Sequence, residues 1–148
     1  MRIYRGRPIA VAKIAGGRDT PLLSGGVRFY QMPGGVLVEV DVSGLPNNAD
    51  GFYGFHIHTG NGCAGKGFSA TGGHYDPIKQ PHPRHAGDLP PLMANGGKAY
   101  MAVLTDRFSI PDVLGRTVVV HKMSDDFRSQ PAGNAGEKIA CGVIERTT

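Results

Sequence analysis

Residues 26–42 read GVRFYQMPGGVLVEVDV, and this stretch decides the fold class. Its second half carries a valine at every other position, at 36, 38, 40 and 42. Because side chains in a β-strand alternate between two faces, these four valines lie on one face. The first half, 26–32, also alternates, and Pro33-Gly34-Gly35 between the halves is a typical turn. The stretch therefore predicts a β-hairpin.

Short apolar runs separated by turn residues continue along the rest of the chain. Glycine (23 residues) and proline (11 residues) are more frequent in these 148 residues than in an average protein, and both are spread between the apolar runs. The pattern predicts further strands at 8–14, 51–58, 98–104, 117–121 and 141–144. No segment shows a helical period, so the predicted class is all-β, a Greek-key sandwich or flattened barrel.

Two long segments, 59–92 and 124–138, have no regular pattern and are predicted to be loops. A loop as long as the first is uncommon in a compact domain unless it is functional or disordered. It contains three of the chain's six histidines, and we therefore interpret it as a functional loop that is ordered by metal.

Length and charge limit the partners. A chain of 148 residues supports one domain, predicted over 1–148, with one modest core. The net charge of +4 is mild, and the basic residues form no run or helical stripe typical of nucleic-acid binding. No apolar run is long enough for a membrane span or a signal peptide, so any export signal would already have been removed. We expect no nucleic-acid partner and no membrane partner.

All six histidines lie between positions 56 and 121, in short motifs that are rich in glycine. Neutral imidazole is the commonest metal ligand, and scattered surface histidines would not cluster in this way. The pattern predicts a single site for two metals, built from His56, His58, His74, His82, His85 and His121.

The spacing within the motifs indicates the kind of metal. In His56-Ile57-His58 the strand period places both imidazoles on one face, so that they present two nitrogens to one ion. Two histidines and a carboxylate completed by a further histidine suit zinc, and His82, His85 and Asp88 lie within seven positions. Four imidazoles suit copper. Two alternatives stay open here: strand histidines without metal, and a hydrolytic zinc site on His56 and His58.

Six segments of the chain form a recognisable series: GFHIH (54–58), GGHYDP (72–77), HAGDL (85–89), GRTVVVH (115–121), Asp125-Asp126 and GNAGEKIACGVI (133–144). Taken together and in this order, they resemble the motifs of the bacterial-type Cu/Zn superoxide dismutases. The resemblance covers nearly the whole chain and implies an all-β fold, an eight-stranded Greek-key β-sandwich or flattened barrel with two long functional loops.

The resemblance implies two metals that share one ligand. Copper would be held by His56, His58, His74 and His121, and zinc would be held by His74, His82, His85 and Asp88. Asp125 matches an aspartate that joins a copper-site histidine to a zinc-site histidine, here His56 and His82. Such partners fix the orientation and basicity of ligating rings.

The implied activity is dismutation of superoxide to dioxygen and hydrogen peroxide, with His74 as the proton carrier. Because the substrate is a small anion, a positive group near the copper matters for the rate. The family usually has an arginine there, whereas this chain has Lys138, which keeps the charge but lacks the planar guanidinium fork. We expect reduced efficiency. Arg84 matches an arginine that braces the disulfide loop.

The two cysteines, Cys63 and Cys141, match the family's intrasubunit disulfide. In the loop-entropy model a bridge between them would restrict the unfolded chain by about 4–5 kcal/mol. A disulfide indicates an oxidising compartment, which favours the bacterial periplasm or the cell exterior, although family members also keep it in the cytoplasm.

The main functional alternative is a dismutase-like protein that binds structural zinc or buffers copper with little or no turnover. The complete set of copper ligands argues against it, and Lys138 argues mildly for it. The oligomeric state stays open, and a homodimer is considered.

Overall fold

The computed structural model describes residues 3–148; Met1 and Arg2, at the start of the stretch considered above for a signal peptide, lie outside the described residues. Within that range, nine strands form two antiparallel sheets. The strands are β1 (Ala10–Gly16), β2 (Ser24–Met32), β3 (Gly35–Ser43), β4 (Phe52–Tyr53), β5 (Phe55–His58), β6 (Leu92–Met93), β7 (Ala99–Thr105), β8 (Thr117–His121) and β9 (Lys138–Arg146).

Seven of these strands form one curled sheet in the order β5-β8-β9-β1-β2-β3-β7, which gives it the shape of a half-barrel. The pairs β1–β9 and β3–β7 join strands that are distant in sequence, as Greek-key connections require. The all-β prediction is therefore confirmed.

The predicted hairpin is formed by β2 and β3. Phe29 pairs with Val38, and the pairing runs from Ser24–Ser43 to Met32–Gly35 at the turn. All four valines of β3 are buried, with at most 4% of their surface exposed, and they contribute to the hydrophobic core inside the curl of the sheet. The period-two pattern thus places the core on the predicted face.

The predicted strand at 51–58 is divided at Gly54. The backbone N–H of Gly54 donates to Met123 O (2.8 Å), and its carbonyl accepts from His121 N (2.8 Å). The chain therefore changes partners at this residue: Tyr53 in β4 pairs with Leu92 in β6, and Phe55 in β5 pairs with Val120 in β8. Strand β6 is only two residues long and begins at Leu92, the last residue of the predicted loop.

Helix is restricted to short turns. The helix α1 (Ile110–Val113) begins at a capping box on Ser109 and Asp112, and 3₁₀ turns span Lys66–Thr71 with a kink at Gly67 and Phe68. Four residues are too few to produce the period from which helices are predicted. No helix within residues 3–148 is long and apolar enough to cross a membrane.

The predicted disulfide is present between Cys63 and Cys141. It links the loop after β5 to β9, two segments separated by 78 positions. A crosslink over that length restricts the unfolded chain by about 4–5 kcal/mol in the loop-entropy model. The bridge therefore holds the long loop against the sheet beside the histidines.

A buried carboxylate connects three strands on the other face of the sheet. Glu39 of β3 is fully buried and accepts hydrogen bonds from the Tyr100 hydroxyl (2.6 Å), Arg28 Nε (2.9 Å) and the Ile3 amide (2.9 Å). Burial alone would raise the pKa of Glu39, but these donors outweigh it and hold the pKa at about 2, against an ordinary value of 4.5. Glu39 therefore stabilises the fold in its ionised form.

We predict that Glu39→Gln removes part of the acid sensitivity of the fold. Because the folded pKa is depressed, the stabilisation is fully present above about pH 4.5 and is lost as the pH falls towards 2. A shift of this size corresponds to about 3 kcal/mol in the free energy of unfolding. Urea unfolding of the metal-free protein between pH 6 and pH 2 measures it.

The exposed Glu145 of β9 provides the matched control, because Glu145→Gln removes a carboxylate without a buried network. Parent and Glu39→Gln curves that stay parallel over the whole pH range would contradict the prediction.

Candidate metal centre

The six histidines meet in one buried cluster, although they come from two strands and a loop. None exposes more than 9% of its surface. His56 and His58 lie on β5, His121 ends β8, and the remaining three lie in the loop 59–91. Strands β5 and β8 are direct neighbours, which brings the end of one beside the start of the other.

The loop reaches the strand histidines because its backbone pairs with the free edge of β5. Tyr75 N donates to Ile57 O (2.8 Å), and Ile57 N donates to Gly87 O (2.9 Å). His74 lies opposite His58 in this pairing, and Asp88 lies opposite His56. A Cβ on Gly87 would lie 2.3 Å from Ile57 O, so that only glycine permits this approach.

The first ligand group comprises nitrogens of His56, His58, His74 and His121, all within 4.8 Å of one another. His58 Nδ1 donates to Gly72 O (2.8 Å), and His121 Nδ1 donates to Gly136 O (3.1 Å). These bonds fix the tautomers and leave the two Nε2 atoms facing each other at 3.2 Å.

Burial keeps these two imidazoles neutral. Desolvation lowers the pKa of His58 to about 2 and that of His121 to about 3, although the carbonyl bonds oppose the shift. Two neutral rings with their N–H groups turned outward present lone pairs to each other. This arrangement suits a cation between them.

The second ligand group surrounds Asp88, whose side chain is buried. Asp88 Oδ1 lies 2.8 Å from His74 Nδ1, and Oδ2 lies 3.1 Å from His82 Nδ1 and 3.2 Å from His85 Nδ1. Burial alone would raise the pKa of Asp88, but the His74 hydrogen bond and the nearby imidazoles lower it. A compact set of His56, His74, His82 and Asp88 also falls within 4.8 Å, so that His56 borders both groups.

Three buried nitrogens test whether metals fit. His56 Nδ1, His74 Nε2 and His82 Nδ1 have no hydrogen-bond partner within residues 3–148. An unsatisfied buried polar atom costs about 1–3 kcal/mol, and three in one cluster are exceptional. His82 Nδ1 lies close to Asp88 Oδ2 but lacks hydrogen-bond geometry, as expected of two ligands that share an ion. The donor set fits two metal ions.

Asp125, in the second loop, connects the two groups from outside. Its Oδ2 accepts from His56 Nε2 (2.9 Å), and its Oδ1 accepts from His82 Nε2 (2.7 Å). Burial alone would raise the pKa of Asp125, but these two bonds and the Phe127 amide hold it well below its usual range. The ionised carboxylate keeps both rings turned with Nδ1 inward.

Two further residues fix Asp125 and His82, and neither was predicted from the sequence. Gln130 pairs with the His82 backbone, accepting from N (2.9 Å) and donating to O (2.8 Å). Gly133 has a φ of +72°, and a Cβ there would lie 2.1 Å from Asp125 Oδ1 and 2.6 Å from His82 Nε2. Only the Gly133-Asn134-Ala135-Gly136 motif gave a signal, and it does not specify contact with the carboxylate.

Lys138 lies beside the first ligand group. It begins β9 opposite His121, at a register shift between Val120 and His121. Its Nζ donates to Thr71 Oγ1 (2.7 Å) and Gly72 O (2.9 Å), and burial lowers its pKa. The positive charge is therefore held next to the carbonyl that also binds His58.

The family resemblance predicted that Arg84 braces the disulfide loop, but the arginine that contacts this loop is Arg116. Arg84 is exposed, whereas Arg116 Nη1 donates to Thr59 O (3.1 Å) and its guanidinium lies 4.3 Å from the centre of the Tyr75 ring. Arg116 stands in the GRTVVVH motif, but the motif alone does not reveal this contact. The side chain of Arg107 secures the short segment around His85 by donating to Pro83 O (2.8 Å).

Comparisons with known proteins place the chain in one family. Residues 23–144 match the family model described as copper/zinc superoxide dismutase. The chain is 38% identical to a Cu-Zn superoxide dismutase of Legionella pneumophila, over 84% of this chain and 80% of that protein. It is 37% identical to superoxide dismutase [Cu-Zn] A of Xenopus laevis, over 91% and 95% respectively.

A solved structure is also similar. The Cu/Zn superoxide dismutase from Brucella abortus aligns with a TM-score of 0.77 and 31% sequence identity, over 92% of this chain and 99% of that one. The likeness therefore extends over most of the fold.

We predict that Gly133→Ala weakens zinc binding at the second ligand group, because the new Cβ displaces Asp125 from His82. Loss of such a supporting contact typically lowers metal affinity about 10- to 100-fold. Competition with a zinc chelator measures the change.

Gly115→Ala is the matched control, since Gly115 also has a positive φ (+82°) but no atom within 4 Å of a Cβ. Both variants carry the backbone strain, and only Gly133→Ala carries the clash. Equal zinc affinity in the two variants would show that the contact between Asp125 and His82 does not support zinc binding.

Proposed function

The chain belongs to the copper/zinc superoxide dismutase family, and from this premise we propose which residues hold its metals and guide its substrate. The protein is an oxidoreductase that converts superoxide to dioxygen and hydrogen peroxide, and its cofactors are copper and zinc. The observation that carries the residue assignment is that His74 falls in both ligand groups: its Nδ1 lies beside Asp88, and its Nε2 has no hydrogen-bond partner within residues 3–148.

Copper is held by His56, His58, His74 and His121. The support is the facing of His58 Nε2 and His121 Nε2 at 3.2 Å, together with the unpartnered His56 Nδ1 and His74 Nε2. Each of the three strand histidines has its outer nitrogen bound to a carbonyl or to Asp125, which leaves one inner nitrogen per ring for the metal.

Zinc is held by His74, His82, His85 and Asp88, a set of three nitrogens and one carboxylate that zinc favours. His85 is preferred to His56 as the fourth ligand. His56 has one unpartnered inner nitrogen, Nδ1, which is already assigned to copper, whereas His85 Nδ1 faces Asp88 Oδ2 and lies 3.2 Å from His74 Nδ1.

When bound, copper supplies the one-electron exchange with superoxide, and zinc supplies a fixed positive charge. The chain's own contribution begins with His74, which we assign as the proton carrier at Nε2. That atom is buried and has no hydrogen-bond partner within residues 3–148. Nδ1 lies 2.8 Å from Asp88 Oδ1 on the zinc side, so the ring would stay anchored through Nδ1 whether or not Nε2 carries a proton.

Lys138 is assigned as the residue that attracts superoxide. Its ammonium is anchored on Gly72 O, the same carbonyl that accepts from His58 Nδ1. A cation at this place raises the local concentration of a small anion beside the copper ligands.

The proposal extends to domain organisation and partners. The contiguous core of residues 3–148 supports one domain over 1–148. The mild charge of +4 without basic runs supports a protein that needs no nucleic-acid or membrane partner. The homodimer considered above stays a prediction for sedimentation velocity. A storage role without turnover is not favoured, because the relatives are named dismutases and both donor sets are complete.

We predict that single substitutions can impair one metal site and leave the other metal bound. His121→Ala should abolish dismutation but retain zinc, because His121 approaches only the first ligand group. Asp88→Ala should weaken zinc and retain copper, because its carboxylate belongs to the second. Elemental analysis and a superoxide assay on copper- and zinc-reconstituted protein measure both effects.

The parent protein should approach one copper and one zinc per chain in the same preparation. Equal loss of both metals in both variants would contradict the partition, and a crystal structure in which His74 binds neither metal would end the assignment.

We predict that the charge at Lys138 sets the rate. Lys138→Arg should raise the dismutation rate a few-fold, since guanidinium forks bind anions in fixed geometry. Lys138→Glu should lower the rate by more, because a negative charge repels superoxide. Both effects should shrink with salt, as the screening length falls to about 3 Å at 1 M. Initial rates between low salt and 1 M salt test this.

The exposed Lys98 offers a matched control, because Lys98→Glu changes the net charge equally at the Asn95–Lys98 turn, which carries none of the histidines. Circular dichroism and metal content should not change in any variant. Rates for Lys138→Glu equal to those of Lys98→Glu at low salt would remove Lys138 from the proposal.

A further inference from the structure

The ammonium of Lys138 needs a fixed hydrogen-bond partner, because its backbone position alone does not determine where the terminal nitrogen lies. A lysine carries its charge on a flexible four-carbon stem, and its ammonium has no preferred plane. Cross-strand pairing with His121 places the side chain on the ligand side of the sheet, but it does not fix the terminal nitrogen.

Thr71, in the loop 59–91, supplies a fixed partner for the ammonium. Its side chain is fully buried, and its Oγ1 donates to Phe68 O (2.8 Å). A hydroxyl has a single hydrogen, so this bond commits the donor and leaves only lone pairs for other partners. Lys138 Nζ lies 2.7 Å from the same oxygen and donates to it.

The backbone around Thr71 is fixed independently of Lys138. Thr71 O accepts from Gly60 N (2.8 Å), and Gly72 N donates to Ser69 O (3.3 Å). Cys63 of the same loop is bound to Cys141 in β9. The position of the hydroxyl therefore does not depend on the ammonium.

The bonding of the ammonium leaves one hydrogen for a substrate. Of its three N–H groups, one donates to Thr71 Oγ1 and one donates to Gly72 O. The third has no acceptor within residues 3–148. Two fixed bonds restrict where this remaining N–H points, as the rigid fork of an arginine would do by itself.

We infer that Thr71 is a positioning residue for dismutation: its hydroxyl orients the Lys138 ammonium so that one N–H stays available to superoxide. The inference rests on the proposed role of Lys138 as the anion guide. A planar guanidinium fixes the directions of its own N–H groups, whereas the Lys138 ammonium needs Thr71 to do so. The threonine thus explains how a lysine can guide the anion at this position.

The experiment compares Thr71→Val, which keeps the shape and removes the hydroxyl, with Thr71→Ser, which keeps the hydroxyl. Each is made in the parent and in Lys138→Arg, and every protein is reconstituted with copper and zinc. We expect Thr71→Val to lower kcat/KM at low salt by about three- to ten-fold in the parent, and Thr71→Ser to restore most of it. In the Lys138→Arg background Thr71→Val should have little effect.

A second measurement does not depend on turnover. A proton–nitrogen NMR spectrum of the metal-free protein should show a slowly exchanging ammonium signal for Lys138, assigned by its loss in Lys138→Met. The signal should persist in Thr71→Ser and vanish in Thr71→Val. Thermal unfolding and metal content establish that the variants are folded and loaded.

The outcomes are separable. Equal slowing by Thr71→Val in both backgrounds, or an unchanged rate in the parent, would overturn the positioning role while Lys138→Met still slows the enzyme. An unchanged rate in Lys138→Met would overturn the anion guide itself, and the positioning role with it. Loss of the ammonium signal in Thr71→Ser would show that the hydroxyl is not the anchor.

Discussion

Neutral imidazoles buried with their lone pairs facing inward are the constraint on which this structure depends. Nitrogen atoms that lie 3.2 Å apart without a proton between them, as in His58 and His121, are unfavourable unless a cation joins them. The outer N–H groups determine this state, because Gly72 O and Gly136 O each hold one outer nitrogen and Asp125 holds two, those of His56 and His82. Two backbone carbonyls and one aspartate thus orient four of the six rings, each with one nitrogen turned towards the proposed metals.

The fold meets this constraint by supporting β5 on both edges. Strand β8 pairs with one edge, and the loop segments around Tyr75 and Gly87 pair with the other. The loop is in turn tied to β9 by the Cys63–Cys141 bridge. Irregular segments therefore act here as rigid parts of the sheet, and ligands from distant positions of the chain meet with little freedom to move.

Residue patterns predicted the strands that carry strict alternation and the histidines that belong together. The valines of β3 specify a buried face, and the HxH motif of β5 specifies a shared direction, because both follow from the period of a strand. The patterns did not predict the break at Gly54, the pairing of Gln130 with His82, or the space beneath Gly133. Each of these depends on contacts between segments distant in sequence, where a single glycine or amide gives no periodic signal.

Asp125 has a consequence for how the two metals are loaded. Its two oxygens bind His56 and His82, one ring from each ligand set, and form a rigid connection that bypasses the shared His74. In the proposed assignment, an ion bound at either set would also restrain, through Asp125, a ring of the other set. Thermodynamic linkage then requires reciprocity: zinc would favour copper by the same factor by which copper favours zinc. The carboxylate would thus couple the binding of the two ions.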